Sequence, residues 1–377
     1  MIVNRFVPHY RGPFYELLRE MLAARGVELD FVYGDLDEGE STRQGAIDVE
    51  WGLKRHTKAL QLGDRYLYWQ PCLDVARGAD LVIVEQASKL LVNYVLLAMS
   101  GLGMTRLAFW GHGRNFQVNE ASPVGEAIKR AMSRRVDWWF AYNDTSAREV
   151  VALGYPPSRA TVVNNAIDTR GLLHQAESMC PADVEAVRTR LGLRGRDICV
   201  FTGGMYAEKR LPFLVEACRL IKARVPDFEM LFIGGGAEEG VVRTAAEGCD
   251  WMHYLGPVFG VGIVPYLAMA KLLLMPGLVG LAILDAFALE TPLVTTAVPY
   301  HSPEIGYLVN AENGLLLGAQ DDASAYADAV ADLLTDPMKL EVLRSGCRKA
   351  RELYTIEDMA ERFGNGVLAA LAMRPSD

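Results

Sequence analysis

The sequence lacks a long hydrophobic run and a pattern of paired cysteines, and each absence argues against a class of protein. The longest apolar tract, Leu90 to Met104, is interrupted by Asn93 and falls short of the ~20 residues that a transmembrane helix needs. Six cysteines are scattered over 377 residues, without a C-x-x-C pair or the spacing of metal ligands. We therefore expect free thiols in a reducing cytoplasm, with no disulfide framework and no metal site.

Positive charge is also in short supply. The chain has 38 lysines and arginines against 47 acidic residues, a net charge of −9, which argues against nucleic acid as the main partner. The opening residues reach Arg5 almost at once and do not resemble a secretion signal, so we expect a cytoplasmic protein. With 51% hydrophobic residues, the chain can bury two full cores.

Short apolar segments typical of buried strands alternate with helical patterns along most of the chain. A first series of strand patterns runs from the N-terminus to about 163, and a second begins at 197. Strands that alternate with helices in two successive blocks predict an α/β protein with two doubly wound, Rossmann-like parallel sheets. Ligands of such sheets bind outside the carboxyl ends of the strands, so we expect the site in the loops that follow strands.

The segment 275–292 contains the clearest loop of this kind. Gly277 and Gly280 open a loop after an apolar run at 267–274 that could be a buried strand, and residues 281–289 then carry apolar side chains at helical spacing. A glycine-bearing loop that leads into a helix N-terminus is a ready anion site, because free N–H groups and the helix dipole both point at the ligand.

This segment resembles the donor-sugar loop of retaining glycosyltransferases of family 4, which have the GT-B fold and a motif written E-G-F-G-L-x-x-L-E-A. Gly280 and Leu281 match the second Gly-Leu pair, and Asp285 matches the second glutamate. Gly277 stands in place of the first glutamate, so the E-x7-E motif is degenerate. The resemblance implies that Asp285 holds the ribose of a nucleotide-sugar and that backbone N–H groups meet its diphosphate. Those N–H groups belong to Leu281, Ala282 and Ile283.

A second stretch, 201–210, resembles the family's G-R-L-x-x-E-K-G motif. Gly203 and Lys209 match it, whereas Gly204 replaces the usual first cation and Arg210 replaces the final glycine. A departing diphosphate needs cations that are held in place beforehand. The resemblance implies that Lys209 is a diphosphate ligand, and we expect Arg210 to replace the missing cation.

Two loops in the first half supply the remaining candidates. His112, between two glycines after a strand pattern, stands where the family commonly has a histidine that contacts the donor sugar, and a neutral imidazole can hold a hydroxyl or accept a proton. Arg11 and Gly12 occupy the place of the family's Gly-Gly lip, and we expect Arg11 and Arg114 to contact the acceptor. The glycines that we expect to border the donor are Gly12, Gly204, Gly277 and Gly280.

The resemblance implies an acceptor-binding domain at 1–168, a donor domain at 169–354 that faces it across a cleft, and a helix within 355–377 that packs back on the first domain. It implies metal-independent, retaining transfer of a hexosyl group without a cofactor, by front-face departure and return. The donor would be a UDP- or GDP-linked sugar, and the acceptor a glycan or lipid-linked molecule in surface polysaccharide or glycolipid assembly. The residues expected to act on the donor are His112, Lys209 and Asp285.

Two alternatives stay open from the residues alone. The losses at Gly204 and Gly277 also fit a non-catalytic or remodelled GT-B relative that binds a nucleotide-sugar or a partner glycosyltransferase, and a GT-B nucleotide-sugar epimerase is a further alternative. A basic helical pattern at 126–135, followed by Trp138 and Trp139, suggests peripheral contact with the inner face of a membrane. A merely solvated helix face explains the same residues.

Overall fold

The computed structural model describes residues 1–35, 45–63, 65–113 and 132–373. The chain divides into two compact units. The first combines Met1–Ile167 with Ile356–Asp377, and the second is Asp168–Thr355. All six cysteines are free. Within the described residues, no helix combines the length and the apolar character needed to cross a bilayer.

The first unit is built on a seven-stranded parallel sheet with the order β3-β2-β1-β6-β7-β8-β9. These strands are β1 (Ile2–Asn4), β2 (Phe31–Tyr33), β3 (Leu53–Lys54), β6 (Leu81–Glu85), β7 (Arg106–Gly111), β8 (Trp138–Ala141) and β9 (Ala160–Val162). An antiparallel hairpin is formed by β4 (Lys58–Leu62) and β5 (Arg65–Trp69). The helices described in this unit are α1 (Gly12–Ala23), α2 (Leu73–Ala76), α3 (Val92–Gly101), α4 (Asp144–Ala152) and, from the end of the chain, α13 (Ile356–Ala372).

Aromatic side chains fill one face of this first sheet. Phe363 of α13 stacks on Phe140 of β8 with ring centroids 4.2 Å apart, and it also meets Trp110 and Phe14 edge to face. Gly366, one turn further along α13, lies so close to the sheet that a Cβ there would come within 2.7 Å of the Phe140 ring. The last helix is therefore part of the core of the first unit and not an appendage.

The second unit contains a six-stranded parallel sheet with the order β12-β11-β10-β13-β14-β15. Its strands are β10 (Asp197–Thr202), β11 (Phe228–Ile233), β12 (Met252–Gly256), β13 (Leu272–Leu274), β14 (Leu293–Thr296) and β15 (Gly314–Leu317). Its described helices are α5 (Arg170–Ser178), α6 (Pro181–Leu191), α7 (Leu211–Arg224), α8 (Glu239–Glu247), α9 (Val264–Met269), α10 (Ala282–Ala288), α11 (Ala323–Thr335) and α12 (Pro337–Leu353). The α/β class with two Rossmann-like halves is confirmed.

Each sheet reverses its strand order at one place. In the first unit the chain moves outward from β1 through β2 to β3 and then returns to the other side of β1 with β6. In the second unit it moves outward from β10 to β12 and returns beside β10 with β13. Adjacent strands whose connections leave in opposite directions open a crevice at their carboxyl ends, which is where doubly wound sheets bind ligands.

The structure corrects the sequence prediction at two segments. The apolar run 267–274 is not one strand, because its first residues complete α9 and only Leu272–Leu274 forms β13. The segment 34–78, whose polar sequence shows no regular strand or helix pattern and predicts an irregular stretch, contains β3 and the β4–β5 hairpin. Most of the predicted basic helix at 126–135 lies outside the described residues.

Candidate active site

Lys209 lies at the switch point of the second sheet, in the loop after β10, and its ammonium group points at the loop after β13. Its Nζ donates a hydrogen bond to the Leu278 carbonyl at 2.5 Å and lies 3.5 Å from the Met275 sulfur. The residue is buried, and no carboxylate within the described residues pairs with it. Burial lowers the pKa of Lys209 to about 8, although the charge of neighbouring Glu208 favours the protonated form. A buried ammonium without a carboxylate is costly unless an anion compensates it.

Backbone hydrogen bonds join the same two loops. The N–H of Leu278 donates to the Glu208 carbonyl at 2.8 Å, so Leu278 is bonded at both its N–H and its carbonyl to residues 208 and 209. Gly277 makes this approach possible, because a Cβ at this position would lie 2.6 Å from the Lys209 carbonyl carbon and closer still to the Glu208 oxygen. The glutamate of the family motif therefore cannot stand at Gly277 unless one of the two loops moves.

His301 supports the other side of the donor loop. Its Nδ1 accepts from the Val279 N–H at 3.0 Å, and its Nε2 lies 2.7 Å from the Thr296 carbonyl at the end of β14. Thr296 also donates through its hydroxyl to the Pro276 carbonyl at 2.6 Å, and Ser302 N–H donates to the Val279 carbonyl at 3.0 Å. An imidazole that accepts at Nδ1 and donates at Nε2 is neutral.

The environment of His301 favours that neutral form. Burial lowers the pKa of His301, and the positive charge of Lys209 lowers it further, whereas the bond to the Thr296 carbonyl acts in the opposite direction. His301 was not among the residues singled out from the sequence. The only signal was its position in the loop that follows the end of β14.

Asp285 lies in the first turn of α10, and within the described residues its carboxylate has no hydrogen-bond donor and no ion pair. Burial raises the pKa of this carboxyl to about 7. A half-buried carboxylate without a hydrogen-bond donor or a cation lowers the free energy of unfolding. Such groups are typical of ligand-binding sites, where the ligand supplies the missing donors.

The N–H groups at the start of α10 differ in one respect from the prediction. Ile283 N–H donates to the Gly280 carbonyl at 3.2 Å and is therefore already used. The described residues offer no acceptor to the N–H groups of Leu281 and Ala282, or to that of Gly280. The candidate anion donors thus shift back by one residue relative to those expected from the sequence.

Arg210 has an unusual backbone and an occupied side chain. Its φ of 59° lies in the left-handed region, which glycine adopts more easily, and the family motif carries glycine at this position. Its guanidinium donates to the Gln320 carbonyl at 2.7 Å and to Asp321 at 2.6 Å, and it lies 4.4 Å from the Phe213 ring centroid. These contacts hold the guanidinium near the end of β15, and its role as a second diphosphate cation stays a prediction.

Glycines also join the loops after β10 and β11. Gly203, Gly234 and Gly236 all have positive φ, and a Cβ on Gly236 would lie 2.5 Å from the Met205 carbonyl oxygen. The backbone of Met205 bonds to Gly235 at 2.8 Å in this close approach. The Gly234–Gly236 turn therefore allows the loops after β10 and β11 to approach each other closely. Gly204 lies in the same loop, where a Cβ would press on the Tyr206 ring at 2.7 Å.

His112 follows β7 in the first unit and packs against Tyr142, with ring centroids 4.1 Å apart. Gln86, just after β6, fixes the turn, since its Oε1 accepts from Gly113 N–H at 3.1 Å and its Nε2 donates to Ser133 at 3.2 Å. The turn depends on glycine, because Gly113 has a φ of 72° and a Cβ at this position would lie 2.7 Å from the Val150 side chain. Gln86 is a second supporting residue that the sequence did not indicate.

Arg11 is buried beneath the first loop. Its guanidinium donates to the Asn165 side chain and, at 3.3 Å, to the Ala166 carbonyl, and it lies 5.3 Å from the Trp110 ring centroid. These contacts connect the loop to the segment that leaves β9. Gly12 begins α1, where a Cβ would meet the Ile47 side chain at 2.6 Å. Arg114, the other predicted acceptor residue, lies outside the described residues.

Side chains that ligate metals are not clustered in the part of the chain that the structure describes. No group of three or more His, Cys, Asp or Glu side chains in these ranges could hold a metal ion.

Two doubly wound units define a protein of the GT-B fold, and solved structures agree. HepE of Anabaena, crystallised with UDP, matches with a TM-score of 0.71 and 14% identity, over 98% of this chain and 99% of HepE. Sucrose-phosphate synthase of Thermosynechococcus elongatus matches with a TM-score of 0.68 and 18% identity, over 97% of each chain. At these identities the likeness establishes the fold alone.

The sequence comparisons point to one class of enzyme on this fold. Residues 196–336 match the family model described as glycosyl transferases group 1, and this range includes Lys209, the loop at 275–280 and Asp285. EpsD of Bacillus subtilis (strain 168), which carries a provisional glycosyltransferase name, is 26% identical over 282 residues, covering 69% of this chain and 69% of EpsD. These matches support a glycosyltransferase.

Proposed function

We propose that the protein is a retaining glycosyltransferase that moves a sugar from a UDP- or GDP-linked donor to a glycan or lipid-linked acceptor. One observation carries the proposal. The buried, carboxylate-free ammonium of Lys209 lies at the switch point of the second sheet, hydrogen-bonded to the loop whose next N–H groups have no acceptor within the described residues. UDP is the first nucleotide to test, because the structurally similar HepE was crystallised with it.

The proposed chemistry follows from these charges. When the sugar leaves, negative charge develops on the nucleotide diphosphate, and an ammonium group held in place beforehand stabilises it without reorganisation. A bound diphosphate would also raise the lowered pKa of Lys209, so that the lysine stays protonated throughout. Asp285, once ionised, can accept hydrogen bonds from the two ribose hydroxyls, and His112 would hold the sugar. Departure and return on one face of the sugar is our proposal for retention, and trapping a covalent glycosyl-enzyme would contradict it.

Calorimetric titration with UDP, GDP and ADP, in Mg²⁺ and in EDTA, tests the donor site. We expect one nucleotide to bind equally well in both buffers, and Lys209→Met to weaken it roughly 10- to 100-fold, since a hydrogen bond to a charged group is worth ~1.5–3 kcal/mol. Methionine is an unbranched apolar side chain of similar size, and it removes the charge together with the hydrogen-bond donor. Lys349→Met, at an exposed position of α12 in the same unit, is the matched control. Equal nucleotide affinity in wild type and Lys209→Met would contradict the assignment of Lys209.

The non-catalytic alternative is favoured by one specific observation. The structure leaves no space for a glutamate at Gly277, so whatever orients the sugar in this protein is not the family residue. Turnover of radiolabelled UDP-glucose and GDP-mannose separates the alternatives. Release of free nucleotide supports transfer or hydrolysis, conversion of the sugar without release supports an epimerase, and nucleotide binding without either supports a binding protein. We also propose that the segment 126–139 contacts the inner face of the membrane, where a lipid-linked acceptor would lie.

A further inference from the structure

The switch point of the first sheet also contains an acidic residue. Val3 of β1 pairs with Val84 of β6, and one step further along the two strands lie Asn4 and Glu85, at the carboxyl ends that border the crevice. Glu85 is half-buried, after four buried apolar residues of β6. Within the described residues no group donates a hydrogen bond to its carboxylate and no cation forms an ion pair with it.

The surroundings of Glu85 are charged but not paired. Burial raises the pKa of its carboxyl, and the positive charges of Arg5, Lys89 and Arg11 act in the opposite direction. The Arg11 guanidinium donates hydrogen bonds to the Asn165 side chain and the Ala166 carbonyl, and the Arg5 guanidinium lies 4.8 Å from the Tyr68 ring centroid. Three surrounding cations leave no excess of negative charge that would attract a cationic ligand. Glu85 therefore lacks only hydrogen-bond donors.

Neighbouring amide side chains show the same shortage of donors. Asn4, Gln70 and Asn93 are all buried and use their NH₂ groups inside the protein, on the Tyr15 hydroxyl, on the Asn4 carbonyl at 2.6 Å and on the Glu85 carbonyl at 2.9 Å. The side-chain oxygen of each amide is left without a donor. Amide groups whose N–H donors are already used cannot supply one to Glu85, and Glu85 is the residue of this cluster that is only half-buried.

We propose that Glu85 binds the acceptor of the transfer reaction, through adjacent hydroxyl groups of a neutral sugar ring. A carboxylate accepts two O–H donors at once, and a vicinal diol presents two at the matching separation. The surrounding cations favour a neutral ligand over an amino sugar. This assignment rests on the proposed function, and it places acceptor recognition on the first unit independently of the nucleotide site.

Saturation-transfer NMR on the full chain, with and without UDP, tests this site. The probes are the methyl α-glycosides of glucose, galactose and mannose, with glucosamine as the cationic comparison. The variant is Glu85→Gln, which keeps the shape of the side chain and removes its charge. The matched control is Glu20→Gln, at an exposed position of α1. We expect at least one glycoside to bind wild type and Glu20→Gln, and to bind Glu85→Gln about 10- to 100-fold more weakly.

Two further measurements separate ligand binding from structure. Glu85→Gln should keep the wild-type affinity for UDP and should melt close to wild type, because within the described residues the carboxylate forms no hydrogen bond or ion pair that the variant would lose. Equal glycoside binding in Glu85→Gln, no glycoside binding to wild type, or binding of glucosamine alone would each overturn the proposal. So would a lowered melting temperature with loss of UDP binding, which would mark Glu85 as a structural residue. Failure of wild type to bind any nucleotide would contradict the proposed function. The role of Glu85 in sugar binding would then be decided by the glycoside measurements alone.

Discussion

Asp285→Asn should make the protein more stable and a worse binder of nucleotides. In the folded chain the pKa of the Asp285 carboxyl is about 7, against an ordinary value of 3.8. Between these two pH values the folded chain retains a proton that the unfolded chain has lost, so the free energy of unfolding falls as the pH rises through this window. Above pH 7 the loss is constant, and each unit of pKa difference corresponds to about 1.4 kcal/mol.

The size of the effect follows from these values. A difference of about three pKa units amounts to roughly 4 kcal/mol, which is an upper bound because Asp285 keeps some contact with water. Asparagine has nearly the same shape and no charge to bury. We therefore expect Asp285→Asn to gain a few kcal/mol at pH 8 and little at pH 3.5, where the wild-type carboxyl is protonated in the folded chain and mostly protonated in the unfolded chain.

The assay must follow the second unit by itself, because a protein of two units need not unfold in one step. Hydrogen exchange at increasing urea, read by mass spectrometry on peptides from 168–355, isolates that unit. Asp250→Asn is the control, since Asp250 is exposed, with its carboxylate 3.2 Å from the Arg194 guanidinium at the surface. We expect this control to change stability by under ~0.5 kcal/mol at either pH.

Nucleotide binding should move in the opposite direction. The affinity of wild type for its nucleotide should rise between pH 6 and pH 8, as Asp285 ionises and becomes able to accept two ribose hydroxyls, and the affinity of Asp285→Asn should be weaker and less dependent on pH. A stability gain of equal size at pH 3.5 and pH 8 would refute the argument from burial. Wild-type affinity in Asp285→Asn would refute the ribose role.

Two further predictions concern the support of the donor loop. Gly277→Ala should lower the melting temperature and weaken nucleotide binding, because its Cβ would lie 2.6 Å from a backbone carbon of the facing loop. In the control Gly280→Ala the added Cβ meets nothing closer than 3.5 Å, so this variant should melt like wild type. Similar melting temperatures of the two variants would contradict the close contact between the two loops. His301→Phe should cost ~1–3 kcal/mol by leaving the buried Val279 N–H without an acceptor, and His301→Gln should recover part of it. Since the folded pKa of His301 is lowered, its contribution is present above its ordinary value of 6.5 and is lost as the pH falls below it, so urea titrations of wild type and His301→Phe should converge on acidification, and parallel curves would speak against this role.

The sequence predicted the loops that form the candidate donor site, but not the contacts that hold these loops together. The alternation of strand and helix patterns located the loops after β10 and β13, and glycines marked both as places of close backbone approach. The need for glycine at 277 could not be predicted, because it arises from the backbone of residues 208 and 209, far away in the sequence. For the same reason His301 was missed, since its bonds to Val279 and Thr296 exist only once three loops have met.

Two residues carried signals that were available in the sequence. The final glycine of the family's G-R-L-x-x-E-K-G motif indicates a positive φ, and Arg210 adopts that conformation despite its side chain. Its bonds to Asp321 and Gln320 help to offset a strain of ~1–2 kcal/mol. Glu85 ends an otherwise apolar strand, and a charge at the carboxyl end of a buried parallel strand is a recognisable sign of a ligand site.

The return of α13 to the first unit determines the order in which the chain can fold. Phe363 completes an aromatic face with Phe140 and Trp110, yet it is synthesised only after the whole of the second unit. At ordinary rates of translation that delay is on the order of ten seconds or more, long enough for an independent unit to fold. The unit that begins the chain is therefore the last to be finished, and during that interval its uncovered aromatic surface is where a chaperone would bind or where aggregation would begin.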